Sequence, residues 1–93
     1  IYVTAEGGAR LANGTLAGSI LTMDQAVRNV IAWGAASLSD AIRMASTTPA
    51  DLLGRTDLGR IAVGCAADLV VLDASLHVRQ TIVGGQVAFE AEA

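Results

Sequence analysis

The sequence predicts an α/β chain in which a short β unit is followed by three helices and then by three or four strands. Two changes of pattern indicate this order. Between Thr22 and Gly54 the apolar residues recur with the spacing of one helix face, and beyond Gly54 they form strand-length runs. Charged residues make up only 16% of the 93 residues, whereas small domains need a polar surface. We therefore expect a piece of a larger protein, with apolar surface that packs against polypeptide outside this chain.

The N-terminal stretch predicts a small β unit. Strand-like runs at Ile1–Thr4 and Ala9–Ala12 flank Gly7-Gly8, and Asn13-Gly14 has the composition of a tight turn. The next residues, Thr15–Ser19, are mostly small, and we expect them to form a loop that leads into the first helix.

The first helix is predicted to begin at Thr22 and to end at Gly34. Thr22 and Gln25 have the spacing of a capping box, in which each side chain binds a backbone N–H of the first turn. Apolar residues then follow at helical spacing: Met23, Ala26, Val27, Val30 and Ile31. Gly34 suits the left-handed conformation that ends many helices.

Two shorter helices are predicted after Gly34. Ser37 is expected to cap the second helix, with Asp40 three residues on. Thr48 is expected to cap the third, because Pro49 then occupies the first helical position, where a missing N–H costs little. Gly54 is the expected end of that helix.

The rest of the chain predicts an antiparallel meander. Ile61–Val63 is a possible short strand, and Asp68–Asp73 is an apolar strand bounded by two acids. His77–Val83 and Gln86–Phe89 are predicted strands joined at Gly84-Gly85, a two-residue hairpin signal. The two acids are five positions apart and so point to opposite faces of the strand. We expect both to bind backbone in the flanking turns.

No catalytic residue and no metal ligand is predicted in this chain. It has one histidine, one cysteine and nine acids, without HxH, HExxH or CxxC spacing, whereas a metal site needs several convergent ligands. His77 is expected at the surface or rim of the sheet. Cys65 has small uncharged neighbours that offer nothing to lower a thiol pKa, so we expect an inert thiol.

The charge pattern and hydropathy exclude two classes of partner. The net charge is −3, and the six basic residues are scattered arginines, which argues against nucleic acid. No apolar run reaches the ~18 residues that a membrane span needs.

The single cysteine excludes an intrachain disulfide, and we expect a cytoplasmic protein.

Gly18 is the one glycine outside the hairpin whose position suggests a ligand. It lies four residues before Thr22, and backbone N–H groups near a helix N-terminus attract anions. A residue without Cβ also lets a ligand approach the backbone closely. The alternative, an ordinary loop that enters a helix, stays open at this point.

Several stretches resemble the amidohydrolase superfamily. Leu58–Gly64 and Ala66–Asp73 are similar to its late pattern G-x-I-x-x-G-x-x-A-D-L-V-V-x-D. Thr81–Gly85 resembles its closing T-I-V-x-G hairpin, and Ala45–Ala50 resembles its A-T-x-N-P-A helix start. These pieces are shared by dihydroorotase-like, hydantoinase-like and deacetylase enzymes.

A further stretch resembles the family of N-acetylglucosamine-6-phosphate deacetylases. Asn13–Ser19 is similar to its D/N-G-T-L-x-G-S, and Leu21–Met23 and Val27–Asn29 are similar to the L-T-M and V-R-N that follow. The alternatives are another amidohydrolase, dihydroorotase-like or deaminating, and a non-catalytic assembly domain.

The resemblance implies a fold and a role for each part of the chain. Residues 1–57 would be the last part of a (β/α)₈ barrel, and residues 58–93 would be C-terminal strands of a small β-sandwich. Leu16, Ala17 and Gly18 would touch the amino-sugar phosphate substrate. The divalent metal (Zn or Fe), its ligands and the catalytic Asp would belong to the remainder of the enzyme, which would be a homo-oligomer that releases acetate.

Overall fold

The structure is a computed structural model that describes residues 2–3 and 8–92. Within these ranges the elements follow the predicted order of a β unit, three helices and three strands. They are β1 (Tyr2–Val3), β2 (Ala9–Arg10), β3 (Leu16–Gly18), α1 (Met23–Ala32), α2 (Leu38–Ala45), α3 (Thr47–Leu52), β4 (Leu69–Leu72), β5 (Val78–Val83) and β6 (Gln86–Glu90). Ile1, Thr4 and Gly7, which the predicted β unit also included, lie outside the described residues.

The N-terminal strands form an antiparallel sheet in the order β1-β2-β3. The predicted turn at Asn13-Gly14 is confirmed: the Gly14 N–H lies 2.9 Å from the Leu11 carbonyl oxygen, and Gly14 has φ 86°. The prediction of a loop over residues 15–19 is wrong, because Leu16–Gly18 pairs with β2 as a strand. Small residues without alternation give no strand signal, and here the neighbouring strand supplies the order.

Helix α1 ends as predicted but begins without the predicted capping box. Thr22 is extended, and its side chain makes no capping hydrogen bond; its hydroxyl binds the Asp24 carboxylate instead. At the other end Gly34, with φ 73°, donates to the Ile31 carbonyl, and the Ala35 N–H donates to the Val30 carbonyl, each at 3.0 Å. This pair of bonds satisfies two of the carbonyls that a helix end leaves free.

Helix α2 begins as predicted, whereas α3 begins earlier than predicted. Ser37 Oγ accepts from the Asp40 N–H at 3.2 Å, which confirms this cap. The N-cap of α3 is Ser46, not Thr48. The helix starts at Thr47 because its hydroxyl is held by the Gly59 carbonyl. Pro49 then takes the third helical position, where the N–H still has no partner within the helix.

The C-terminal strands form a second antiparallel sheet in the order β4-β5-β6. The predicted strand between Asp68 and Asp73 and the two strands after it are confirmed. Gly84 and Gly85 form the two-residue turn, with φ 57° and 82°, as a primed turn requires. The possible strand at Ile61–Val63 is wrong: this segment is irregular, and no strand of the described residues pairs with it.

Little of the chain is buried within its own fold. Among the described residues the buried apolar side chains are Ala9, Val27, Ala41 and Ala50. Large apolar side chains lie exposed instead, among them Trp33 at 74% and Leu52 at 86%. An open cavity of about 950 Å³ separates helices α1 and α2 from strand β4. The expected uncovered apolar surface is therefore present in this chain.

Candidate functional site

The predicted site residues Leu16, Ala17 and Gly18 form strand β3, at the edge of the N-terminal sheet. An edge strand turns alternate backbone N–H and C=O groups away from its neighbour, where another molecule can bind them. Leu16 is 61% exposed, and Gly18 is exposed as well. The three residues are thus brought together on an accessible backbone ribbon.

A β-bulge shapes this ribbon. Ala9 pairs with Gly18 and Arg10 pairs with Leu16, so Ala17 is an extra residue opposite the β2 strand. A bulge bends its strand and redirects the groups beside it, and bulges are frequent next to binding sites. The backbone at Ala17 is therefore angled away from a regular ladder.

Gly18 has a backbone conformation that explains the glycine. Its φ is 146°, in the range that L side chains rarely adopt. A Cβ built at this position meets no atom of the described residues within 4 Å. The space beside Gly18 is thus open in this chain, and only the backbone conformation excludes other residues.

Local hydrogen bonds hold the hairpin that carries β3. The Leu11 N–H lies 2.8 Å from the Thr15 carbonyl oxygen, and the Asn13 side chain accepts from the Thr15 N–H at 3.0 Å. The nearest strand also brings a positive charge: Arg10, opposite Leu16, donates to the Gly14 carbonyl at 3.2 Å. The guanidinium is therefore turned along the hairpin toward its tip.

A short ordered segment connects β3 to helix α1. Ser19 Oγ accepts from the Leu21 N–H at 2.9 Å, and α1 follows from Met23. Within α1, Arg28 binds Asp24 at 3.0 Å. The pKa of Asp24 is lowered from 3.8, first by the hydrogen bond from Thr22 and then by that from Arg28.

The acids predicted at the strand ends bind backbone, as expected. Asp68 Oδ1 accepts from the Gly84 N–H at 2.8 Å. Asp73 Oδ1 accepts from the Ser75 and His77 N–H groups, both at 2.9 Å. These bonds hold the pKa of Asp73 below 3.8, the bond from His77 most of all. Both acids therefore order turns.

The described residues do not fit a metal site. They contain no group of three or more His, Cys, Asp or Glu side chains that could surround an ion. His77 is 63% exposed, with its Nδ1 atom 3.9 Å from Asp73. Cys65 Sγ lies 3.6 Å from the Thr56 carbonyl oxygen. None of the helices formed by residues 2–3 and 8–92 could span a lipid bilayer.

The comparison with protein families decides the class of the chain. The model of the amidohydrolase family matches residues 3–90. The chain belongs to the amidohydrolase family. This match confirms the superfamily resemblance of the strand β4 region and of the closing hairpin. The sequence relatives point to a smaller group within the family.

Two relatives of this amidohydrolase chain are sugar-phosphate deacetylases. The N-acetylglucosamine-6-phosphate deacetylase of Lysinibacillus sphaericus is 45% identical over 87 residues, which are 94% of this chain and 22% of that protein. The N-acetylgalactosamine-6-phosphate deacetylase of Escherichia coli O157:H7 is 45% identical over 83 residues, which are 88% of this chain and 22% of that protein.

A solved structure shows the same arrangement. The crystal structure of N-acetylglucosamine-6-phosphate deacetylase from Thermotoga maritima has a TM-score of 0.79 at 43% identity, and the match covers 92% of this chain and 24% of that chain. The amidohydrolase chain described here thus spans between a fifth and a quarter of the length of these relatives.

Sequence reasoning missed the long-range pairing of Arg28 with Leu76. Arg28 donates to the Leu76 carbonyl oxygen at 2.9 Å, across 48 positions of the chain. Arg28 belongs to the Val27–Asn29 motif of the family resemblance, so the sequence singled out this residue but not its partner. The partner is a backbone carbonyl in a turn, and the type of residue that carries a carbonyl does not predict such a bond.

Proposed function

We propose that this chain is the C-terminal part of a metal-dependent deacetylase that converts N-acetylglucosamine 6-phosphate to glucosamine 6-phosphate and acetate in the cytoplasm. The observation that carries the proposal is the 45% identity to such a deacetylase over 94% of the chain. The matching TM-score of 0.79 supports it. Because the chain covers so little of its relatives, the activity is proposed for the longer enzyme.

The proposed architecture divides the chain into two parts. Residues 1–57 would close a (β/α)₈ barrel, with α1, α2 and α3 among its outer helices, and residues 58–93 would add strands to a small β-sandwich. Two observations support this division: the two sheets are separate, and the apolar faces of both parts are left uncovered. In the proposal the remaining polypeptide covers these faces, and the enzyme assembles as a homo-oligomer.

The metal, Zn or Fe, is assigned to the remainder of the enzyme. The described residues offer no group of ligands that could hold it. The proposed contribution of this chain is to bind the substrate: the exposed edge of β3 offers backbone donors and acceptors to sugar hydroxyls or phosphate oxygens. The bulge at Ala17 and the open space beside Gly18 support this role.

A second candidate substrate is the 4-epimer, N-acetylgalactosamine 6-phosphate. It is favoured by the E. coli relative, whose identity to this chain is also 45%. Acetate release from both sugar phosphates by the longer enzyme distinguishes the two. If kcat/KM is higher for the galactose epimer, the first candidate is replaced.

The role of β3 is tested by Gly18→Ala in the longer enzyme, with Gly14→Ala as the control. Both glycines have positive φ, 146° and 86°, and neither has an atom near an added Cβ among the described residues. Both variants therefore place a Cβ on a positive-φ position of the same hairpin. Only Gly18 is proposed to contact substrate.

We expect Gly18→Ala to lose one or two substrate hydrogen bonds, or about 1–3 kcal/mol. This corresponds to a fall in kcat/KM of about 5- to 150-fold at about 1.4 kcal/mol per tenfold. Gly14→Ala is expected to keep kcat/KM within about twofold. Equal kinetics of the two variants, per folded enzyme, would remove β3 from the substrate site.

The chain by itself is expected to bind no catalytic metal and to release no acetate. The reason is the lack of a ligand group in the described residues. Elemental analysis of chelator-free protein and an acetate assay measure both. Stoichiometric metal together with chelator-sensitive turnover would show that this chain holds the catalytic centre after all.

A further inference from the structure

Arg28 joins the helices to the C-terminal sheet. Among the residues that the structure describes, its bond to the Leu76 carbonyl oxygen, at 2.9 Å, is the only hydrogen bond between helices α1–α3 and residues 69–90, which hold the C-terminal sheet and its turns. The same guanidinium binds Asp24 and Gln25 of α1, each at 3.0 Å. A planar arginine fork holds its acceptors in a fixed arrangement, so it sets the orientation of α1 against the turn that contains Leu76.

That turn, residues 73–77 between β4 and β5, is itself held in an unusual conformation. Leu76 has φ 65°, and no other non-glycine residue among those described has a positive φ. Such a conformation persists where the surroundings hold it. Asp73 holds the turn from within, through the Ser75 and His77 N–H groups, and Arg28 holds it from the helix.

The link is also more shielded than the other arginine–acid pairs. The Arg28 side chain is 18% exposed, whereas that of Arg55, which binds Asp57, is 53% exposed. A hydrogen bond to a shielded charge is costly to lose, because water replaces the lost acceptor poorly. Arg55 therefore provides a matched control that has two hydrogen bonds to one carboxylate but no partner in the sheet.

Helix α1 is in turn connected closely to strand β3. The connecting residues 19–22 contain the bond from the Leu21 N–H to Ser19 Oγ, and α1 begins at Met23. Only four residues therefore separate the end of β3 from the start of α1. Along the chain, β3 leads through residues 19–22 into α1, and α1 carries the Arg28 side chain that binds Leu76.

We propose that Arg28 is a positioning residue: through α1 it fixes the hairpin β2–β3 relative to the C-terminal sheet, so that β3 meets the substrate in one place. The effect on the substrate rests on the proposed function, whereas the mechanical coupling does not. The hypothesis therefore has two readouts, one for each statement.

The experiment compares Arg28→Met, Arg28→Lys and Arg55→Met in the longer deacetylase to which we assign this chain. Amide hydrogen exchange is followed in β3 and in the turn of residues 73–77, and steady-state kinetics give KM and kcat. Asp24→Asn is added because it weakens the bond within α1 and leaves the Leu76 bond in place.

For Arg28→Met we expect exchange to rise about tenfold in both segments together, since both lose the same constraint. KM should rise about tenfold, which is about 1.4 kcal/mol of substrate binding, while kcat changes by less than about twofold. Arg28→Lys should restore part of the KM, because a lysine can still donate to the Leu76 carbonyl but lacks the planar fork that fixes the direction of the bond. Arg55→Met and Asp24→Asn should resemble the parent.

Each other outcome overturns one part of the proposal: the coupling through α1, the positioning role or the substrate contact. Faster exchange in the turn but not in β3 overturns the coupling through α1. A loss of kcat with unchanged KM overturns the positioning role. Coupled exchange with unchanged KM and kcat leaves the coupling in place and overturns the proposed contact between β3 and the substrate, so the two failures are distinguishable.

Discussion

Gly59 satisfies two requirements that no other residue meets. Its φ is 74°, and a Cβ at this position would lie 2.6 Å from the Ser46 carbonyl oxygen and 2.9 Å from the Ala50 Cβ. The Gly59 carbonyl also accepts from the Thr47 hydroxyl. The close contact thus places the segment after α3 directly on the first turn of that helix.

We expect Gly59→Ala to lower the free energy of unfolding by about 2–5 kcal/mol, the sum of backbone strain and overpacking. Gly64→Ala is the control, since Gly64 has φ 89° and no described atom near an added Cβ. It should cost only the strain, about 1–2 kcal/mol. Urea unfolding measures both. Equal losses would mean that the backbone at Ser46 moves aside without cost.

Single residues were predictable from sequence where the signal is local. Ser37, Gly34 and Gly54 act on atoms within five positions, and each was assigned correctly. Thr22 has the same local signature, but its hydroxyl binds Asp24 instead of the backbone. The hydroxyl can accept from a backbone N–H or donate to the nearby carboxylate, and residue types alone do not show which of the two bonds forms.

At the scale of elements, the turn of residues 73–77 should respond to pH. The pKa of Asp73 is lowered from 3.8, chiefly by the hydrogen bond from the His77 N–H. A depressed carboxyl pKa in the folded state adds stability that is present above the unfolded pKa. That stability is lost as the pH falls through the lower folded pKa.

Asp73→Asn keeps an acceptor oxygen but removes the charge. We therefore expect the variant to be less stable than the parent at neutral pH, and the difference to shrink as the pH falls through the lowered folded pKa of Asp73, where that carboxyl also becomes neutral. Urea midpoints between about pH 2 and pH 7 follow this. A constant difference over the whole range would show that the charge is not what the turn uses.

Strands with apolar sequences were predicted well, whereas the strand built mostly from small residues was not. β4, β5 and β6 have runs of branched residues and a glycine turn, so their limits are close to those predicted. β3 consists of Leu16, Ala17 and Gly18 and exists because β2 pairs with it. Ile61–Val63 has a strand-like composition but meets no partner among the described residues. Pairing between strands decided both cases, and a single segment carries no information about its partner.

At the scale of the whole molecule, the chain by itself should self-associate. Phe89 is 51% exposed and Val70 is 54% exposed, and these residues lie on β6 and β4, the two edges of the C-terminal sheet. Exposed edges with uncovered apolar faces tend to pair with other copies. Light scattering at micromolar concentration should therefore show oligomers.

Val70→Lys should reduce the association, because a charge at a strand edge opposes pairing. Ala32→Lys, at the exposed end of α1, adds the same charge away from the edges and should have little effect. A monomeric parent chain whose strand amides are well protected from exchange would contradict the prediction.

Both sheets are meanders, in which each strand pairs only with its neighbour along the sequence. This connectivity has a kinetic consequence. Because paired strands are close in the sequence, the entropy lost on closing each loop is small. The contact order of each sheet is therefore low. Hairpins of this kind form within about 1–10 μs. The C-terminal sheet should therefore be an early folding unit, assembled before helices α1–α3 settle against it.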